Sequence, residues 1–215
     1  MKLMTKIYLV RHGQSQANLD RVFAGRYNPE LSDLGRAQAQ KVGDYLKDKG
    51  IEKIYASPLK RAFNTAVPLS TGLNIPIIPY DGIVEINGGD WEGKEIANLI
   101  AEFPETYGIW MTDIGHSKCD NGESMAEVQE RMVKAVGEIA KKEDGKTIAL
   151  FAHAGCLRAF LTHCLKLPLS GMQDLGWLSN ASVTEINFSD GEFEVIDMDY
   201  SDHLGDMVTT IAPNV

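Results

Sequence analysis

Two histidines, two arginines and one glutamate stand just beyond short apolar runs of this chain. Arg11-His12 follow Lys6–Val10, Arg61 lies one helical turn past Lys53–Ala56, Glu85 comes after Ile75–Pro79, and His153 follows Thr147–Ala152. An arginine fork matches the oxygens of a phosphate or carboxylate. An imidazole, with an ordinary pKa of ~6.5, can be neutral at pH 7 and act as nucleophile or base. A carboxyl group can pass a proton to or from a reacting oxygen. Taken singly, a histidine at a strand end is most often structural, and a loop glutamate is most often solvated. Arg61 differs, because a cation in a helix's first turn opposes the helix dipole and calls for an anion. Convergence of all five from four separate segments points to a site that handles an anion and moves a proton.

The elements that position them alternate strand and helix. Lys6–Val10 and Thr147–Ala152 are the continuous apolar runs of buried strands, and Lys53–Ala56 is a shorter one. Ile75–Pro79, flanked by prolines, predicts a strand near a sheet edge. Helices are predicted from Ser32 to about Lys49, after Ser57-Pro58 with proline in the first turn, from a Ser124/Glu127 capping box, and from His153 to about Leu165. Ser182–Phe188 and Glu192–Met198 read as a hairpin around Ser189-Asp190-Gly191. Between them these elements predict a three-layer α/β/α sandwich with a mainly parallel central sheet. One domain over 1–215 is expected, with a helical lid inserted at about 82–124. In such sheets ligands bind beyond the carboxyl ends of the strands, where the five residues fall.

Further segments carry a family likeness. They are Leu9-Val10-Arg11-His12-Gly13-Gln14-Ser15 with Asn18, Leu31-Ser32-Asp33-Leu34-Gly35 with Gln38-Ala39, and Ala56-Ser57-Pro58-Leu59 with Arg61-Ala62 and Thr65-Ala66. Glu85-Ile86, Trp91-Glu92-Gly93, Gly122-Glu123-Ser124 and the strand ending in His153 follow in order. With these motifs the chain resembles the histidine phosphatase superfamily, the phosphoglycerate mutase-like proteins, over nearly its whole length. The resemblance implies that His12 is a nucleophile, phosphorylated transiently on its ring. It implies that Arg11, Arg61 and His153 hold the phosphoryl oxygens, with Asn18 a further contact, and that Glu85 donates a proton to the leaving oxygen. The helix after His153 is expected to add N–H groups, beginning at Ala154, and its positive end. Gln14, Arg21 and Trp91 are candidate substrate contacts. Cationic side chains would neutralise the phosphoryl charge, so neither metal nor cofactor is expected. Gln14 and Ala154 depart from the glutamate of classical mutases and the glycine of many relatives.

The family contains both mutases and phosphatases. From Asp81 to Glu130 there are twelve acidic residues, two lysines and no arginine. A lid so acidic is expected to repel a bisphosphate and to favour a monoester with a neutral or partly apolar organic part. Trp91, Phe103, Tyr107 and Trp110 are candidates to line its pocket. The expectation is a phosphatase acting on a small-molecule phosphomonoester; the alternatives are a cofactor-dependent phosphoglycerate mutase and a non-catalytic phosphate-ester binding protein.

Composition is consistent with this. The chain has 215 residues, 44% of them apolar, and a formal net charge of −9, which argues against nucleic-acid or membrane-surface binding. Its longest nearly apolar run, Ile148 to Leu157, is half of a membrane span. Without a signal-like start, and with only Cys119, Cys156 and Cys164, a cytoplasmic protein without disulfides is expected. His116 and Cys119 are half of a zinc motif only. Cys156 and Cys164 are expected to be ordinary buried thiols, although a place near a helix N-terminus can lower the pKa of Cys156. The strands after Ser182 are a candidate exposed edge for a homodimer.

Overall fold

The computed structural model describes residues 3–209. Its six-stranded sheet contains β1 (Thr5–Arg11), β2 (Lys53–Ala56), β3 (Ile77–Pro79), β4 (Thr147–Ala152), β5 (Val183–Ser189) and β6 (Glu192–Tyr200). The order is β3-β2-β4-β1-β5-β6. The four strands from β3 to β1 are parallel, β5 runs antiparallel to β1, and β6 antiparallel to β5. Pro79 lies on the outermost strand, where a missing N–H costs no ladder bond. Asp190 and Gly191 both have positive φ in the β5–β6 turn, the geometry of a type I′ hairpin.

Both faces of the sheet are covered, which explains the unbroken apolar runs. On one face Ile7, Leu9, Ile148 and Leu150 pack against α6 (Met125–Lys142) and α7 (Ala154–Cys164). On the other, Tyr8, Val10, Ala149 and Phe151 pack against α2 (Asp33–Leu46) and α3 (Lys60–Leu73). The order of layers is thus helix, sheet, helix. The capping box at Ser124 and Glu127 is formed. Helix α3 starts later than Ser57-Pro58 predicts, because Ser57 is engaged elsewhere: its hydroxyl accepts from Leu59 N and contacts His153.

Beyond β1 the chain turns at Gly13 into the short α1 (Gln16–Asp20), and this turn is docked on the start of α2. Ser32 N and Oγ donate to Gln14 O, and Gln14 N donates to Gln38 Oε1 at 2.7 Å. A Cβ on Gly35 would lie 1.9 Å from Gln14 O, and one on Gly13 would lie 2.6 Å from Gly35 O. Backbone opposes backbone here, so neither contact can be relieved by a side-chain rotation. Gly35→Ala is expected to cost about 2–3 kcal/mol, roughly 5–10 °C in Tm, and to impair the site with it. Thermal unfolding of the variant checks this.

Between β3 and α6 the chain forms 3₁₀ turns and two short helices, α4 (Ile96–Glu102) and α5 (Pro104–Thr112). Their centre is Trp91, which is fully buried and meets Phe23, Tyr107 and Trp110 edge-on at centroid distances of 5.3–5.6 Å. Its Nε1 donates to Asp120 at 2.9 Å. Among the described residues no helix is long and apolar enough to cross a membrane.

Candidate active site

Strands β1, β2 and β4 end side by side, and a cavity of about 350 Å³ opens next to their carboxyl ends. It is lined by Arg11, His12, Asn18, Arg61, Glu85 and Ala154, among others. His153 lies behind His12, fully buried, with the two ring centroids 5.2 Å apart. Four segments distant in sequence thus deliver the five chemically capable side chains to one place.

The polar contacts orient each group. His12 Nδ1 is 2.7 Å from Gly13 O, and only an N–H can make that contact. Nδ1 therefore carries the hydrogen and Nε2 is the bare nitrogen, approached at 3.3 Å by Arg61 Nε. Arg61 is further fixed by Gly25 O and Tyr27 O, and Arg11 by Leu178 O. Arg11 Nε and His153 Nδ1 are buried without a protein partner, as donors kept for a ligand would be. Burial, with Arg61 and Arg11 beside it, holds the His12 pKa well below the usual imidazole value. His153 is depressed likewise by burial, Arg61 and His12. Burial lowers both arginines to about 10, which leaves them charged at neutral pH. The site therefore presents neutral imidazoles beside two cations.

Glu85 is held by backbone alone. Gly155 N donates to Oε2 at 3.0 Å, and Cys156 N and Ile86 N donate to Oε1 at 2.9 and 3.0 Å. A Cβ at Gly155 would stand 2.8 Å from Oε1, so glycine there lets the carboxyl approach. This revises one expectation: although Ala154 borders the cavity, the next two N–H groups of α7 are committed to Glu85.

The remaining candidates separate. Asn18, Gln14 and Arg21 line the cavity; the Asn18 Oδ1 accepts from Ser15 and from Asn180 Nδ2. Arg26, five residues beyond Arg21, does not line the cavity and is paired with Glu123 at 3.1 Å. Trp91 is corrected: it is sealed inside the aromatic cluster and does not line the cavity, because its indole is what that short-helix segment packs around. Of Trp91, Phe103, Tyr107 and Trp110 only Trp110 borders the cavity. The twelve acidic residues of this segment do not charge the cavity as expected, since only Glu85 among them faces it. Glu92 accepts from Gly88 N and Arg26 N, Asp120 from Trp91 and Thr106, and Glu123 pairs with Arg131. What the cavity offers the rest of a ligand is mostly apolar, Val22, Phe23, Ile86, Ile96, Trp110 and Trp177, with Gln14, Arg21, Asn180 and Thr209 as polar neighbours. Cys156 has its pKa raised, not lowered, because burial outweighs the helix end. His116 is engaged by Asp113, and among the described residues no cluster of His, Cys, Asp and Glu is placed to hold a metal ion.

Asn180 and Trp177 were not foreseen from sequence. Asn180 Nδ2 donates to His12 O at 3.2 Å, and both residues line the cavity. The signal for Asn180 was the antiparallel pairing of β5 with β1, which puts the residues preceding β5 beside the end of β1.

An α/β sandwich with paired histidines and arginines at the carboxyl end of its parallel strands defines an enzyme class that works on phosphate esters. Residues 7–200 match the histidine phosphatase superfamily (branch 1), and the chain belongs to that superfamily. It is 30% identical over 203 residues to phosphoserine phosphatase 1 of Hydrogenobacter thermophilus, covering 94% of this chain and 96% of that one. Its structure resembles Bacillus stearothermophilus YhfR with a TM-score of 0.89 at 28% identity, over 93% and 99% of the two chains. It also resembles mycobacterial glucosyl-3-phosphoglycerate phosphatase complexed with VO3, with a TM-score of 0.83 at 29% identity, over 91% and 99%. The chain is a phosphoric monoester hydrolase by family and by these relatives.

Proposed function

We propose that this enzyme hydrolyses a small-molecule phosphomonoester through a phosphohistidine at His12 Nε2. The observation that carries the reading is the 2.7 Å contact of His12 Nδ1 with Gly13 O, which leaves Nε2 unprotonated at the cavity. Nε2 attacks phosphorus while the bond to the ester oxygen breaks and Glu85 supplies that oxygen with a proton. Arg61 Nε, which approaches Nε2 at 3.3 Å before substrate binds, transfers its hydrogen bond to a phosphoryl oxygen. Arg11 and His153 Nδ1 hold the other oxygens. For Nδ1 of His153 to donate, Nε2 must accept from the Ser57 hydroxyl, and their 2.8 Å separation suits that bond. Water then attacks the phosphohistidine, Glu85 takes its proton, and inorganic phosphate leaves. The chemistry is positioning plus charge stabilisation, the main needs of phosphoryl transfer.

Hydrolysis rather than mutase activity is supported by the distribution of cations. Arg11 and Arg61 stand at the base, Arg21 is the one further cation among the described lining residues, and, Glu85 apart, the rest of the wall is uncharged and mostly apolar. A bisphosphate would find Arg21 as the single cation for its second phosphate. The test is phosphate release from a panel of monoesters, run beside conversion of 3-phosphoglycerate to 2-phosphoglycerate with 2,3-bisphosphoglycerate present. Release without conversion, inhibited competitively by vanadate and persisting in EDTA, is expected. Conversion faster than release would overturn the phosphatase reading, and a lasting loss in EDTA would overturn the metal-free mechanism.

A further inference from the structure

Arg158 lies on α7 one turn beyond Ala154, is 3% exposed, and has no part in the chemistry above. A buried guanidinium is costly unless its donors are used, and here Nη2 alone is paired, Nε and Nη1 being buried without a hydrogen-bond partner in the protein. Its Nη2 donates to Met172 O at 2.7 Å and to Leu175 O at 2.6 Å, both in the connection between α7 and β5. Its guanidinium also lies 4.1 Å from the Trp177 ring centroid, over the indole. Trp177 borders the cavity, 6.5 Å from Trp110 and tilted 32° to it. The next carbonyl, that of Leu178, accepts from Arg11. Within seven residues this connection gives two carbonyls to Arg158, an indole to the cavity and a carbonyl to a phosphate-facing arginine. It forms only a 3₁₀ turn, Leu169–Gln173, so regular structure does not set where Trp177 stands.

We propose that Arg158 is a positioning residue that clamps this connection, holding Trp177 as an aromatic seat for the substrate's organic part and, through Leu178, steadying Arg11. The site then prefers phosphomonoesters of aromatic or bulky apolar alcohols over those of small polar ones. The inference rests on the phosphatase reading only in placing the phosphoryl group against His12. A purely structural Arg158 would affect stability without affecting preference between ligands.

Dissociation constants for benzylphosphonate and methylphosphonate, which share the anion and cannot be hydrolysed, test this independently of turnover. Wild-type protein is expected to prefer benzylphosphonate by roughly tenfold, the order that stacking and burial of one aromatic ring supply. Arg158→Met should reduce that preference to about threefold or less and weaken methylphosphonate as well, by way of Arg11. Arg158→Lys should fall between, and Trp177→Ala should remove the preference. Benzyl phosphate and O-phosphoserine turnover, measured in parallel, should show the same loss of selectivity in kcat/KM. An unchanged preference in Arg158→Met, or no preference in the wild type, would overturn the inference. If Arg158→Met does not fold, Arg158→Lys makes the same comparison. Inactivity of the wild type on every ester would instead sink the phosphatase reading and leave the phosphonate result standing.

Discussion

Phosphate release by His12→Ala is expected to fall by at least about 10⁴-fold, with the protein folded and its Tm within a few degrees of wild type. The loss is large because no neighbour can substitute. His153 is turned to Ser57 through Nε2 and is fully buried, and the Cys156 thiol is kept protonated by burial. The fold survives because the imidazole contributes one bond to Gly13 O and one contact with Arg61, in a place where burial already disfavours its charge. Circular dichroism and thermal unfolding establish the fold, and a phosphate-release assay reads the activity. Rapid quenching of the wild type should trap an acid-labile, base-stable phosphoryl adduct that His12→Ala lacks. Activity surviving in the variant would exclude the phosphohistidine.

Glu85→Gln should separate substrates by leaving group. Esters of alkyl alcohols, whose oxygen must be protonated as it departs, should slow by about 10²–10⁴-fold. Activated aryl phosphates such as p-nitrophenyl phosphate should slow by less than about tenfold. The amide oxygen can replace Oε1 and accept from Ile86 N and Cys156 N, but its NH₂ then faces the Gly155 N–H. That opposition costs about 1–3 kcal/mol, so the variant's Tm should be measured alongside. Equal slowing of both ester classes would assign Glu85 to positioning instead of proton transfer.

Arg11-His12-Gly13 and His153-Ala154-Gly155 were legible in the sequence because each interrupts an apolar run at one residue. An apolar run of five or six residues with both faces covered is a strand in a parallel sheet, and the positions just beyond it gather at one end. Glu85 and Arg61 were legible by the same logic, a few residues farther along the chain. The capping box at Ser124 and the hairpin at Asp190-Gly191 are equally local, each set by residues within three positions.

Only the tertiary structure decided which way the side chains of the irregular segments face. Between β3 and α6, and again between α7 and β5, short helices and 3₁₀ turns carry no period long enough to mark an inner face. Trp91 and Trp110 are therefore alike as residues, yet one is buried core and the other borders the cavity. The acidic residues of the same region could be counted but not aimed; Glu92, Asp120 and Glu123 are taken up by backbone N–H groups, an indole and arginines, and of the twelve Glu85 alone reaches the site. Asn180 enters through the antiparallel placement of β5 beside β1, a pairing between residues more than 170 positions apart, and Trp177 and the Leu178 carbonyl through the irregular connection that precedes it. Sequence by itself determined the chemistry carried at the strand ends, because local pattern places it. The shape and polarity of the pocket around that chemistry came from packing, because contacts remote along the chain set which surface each loop residue shows.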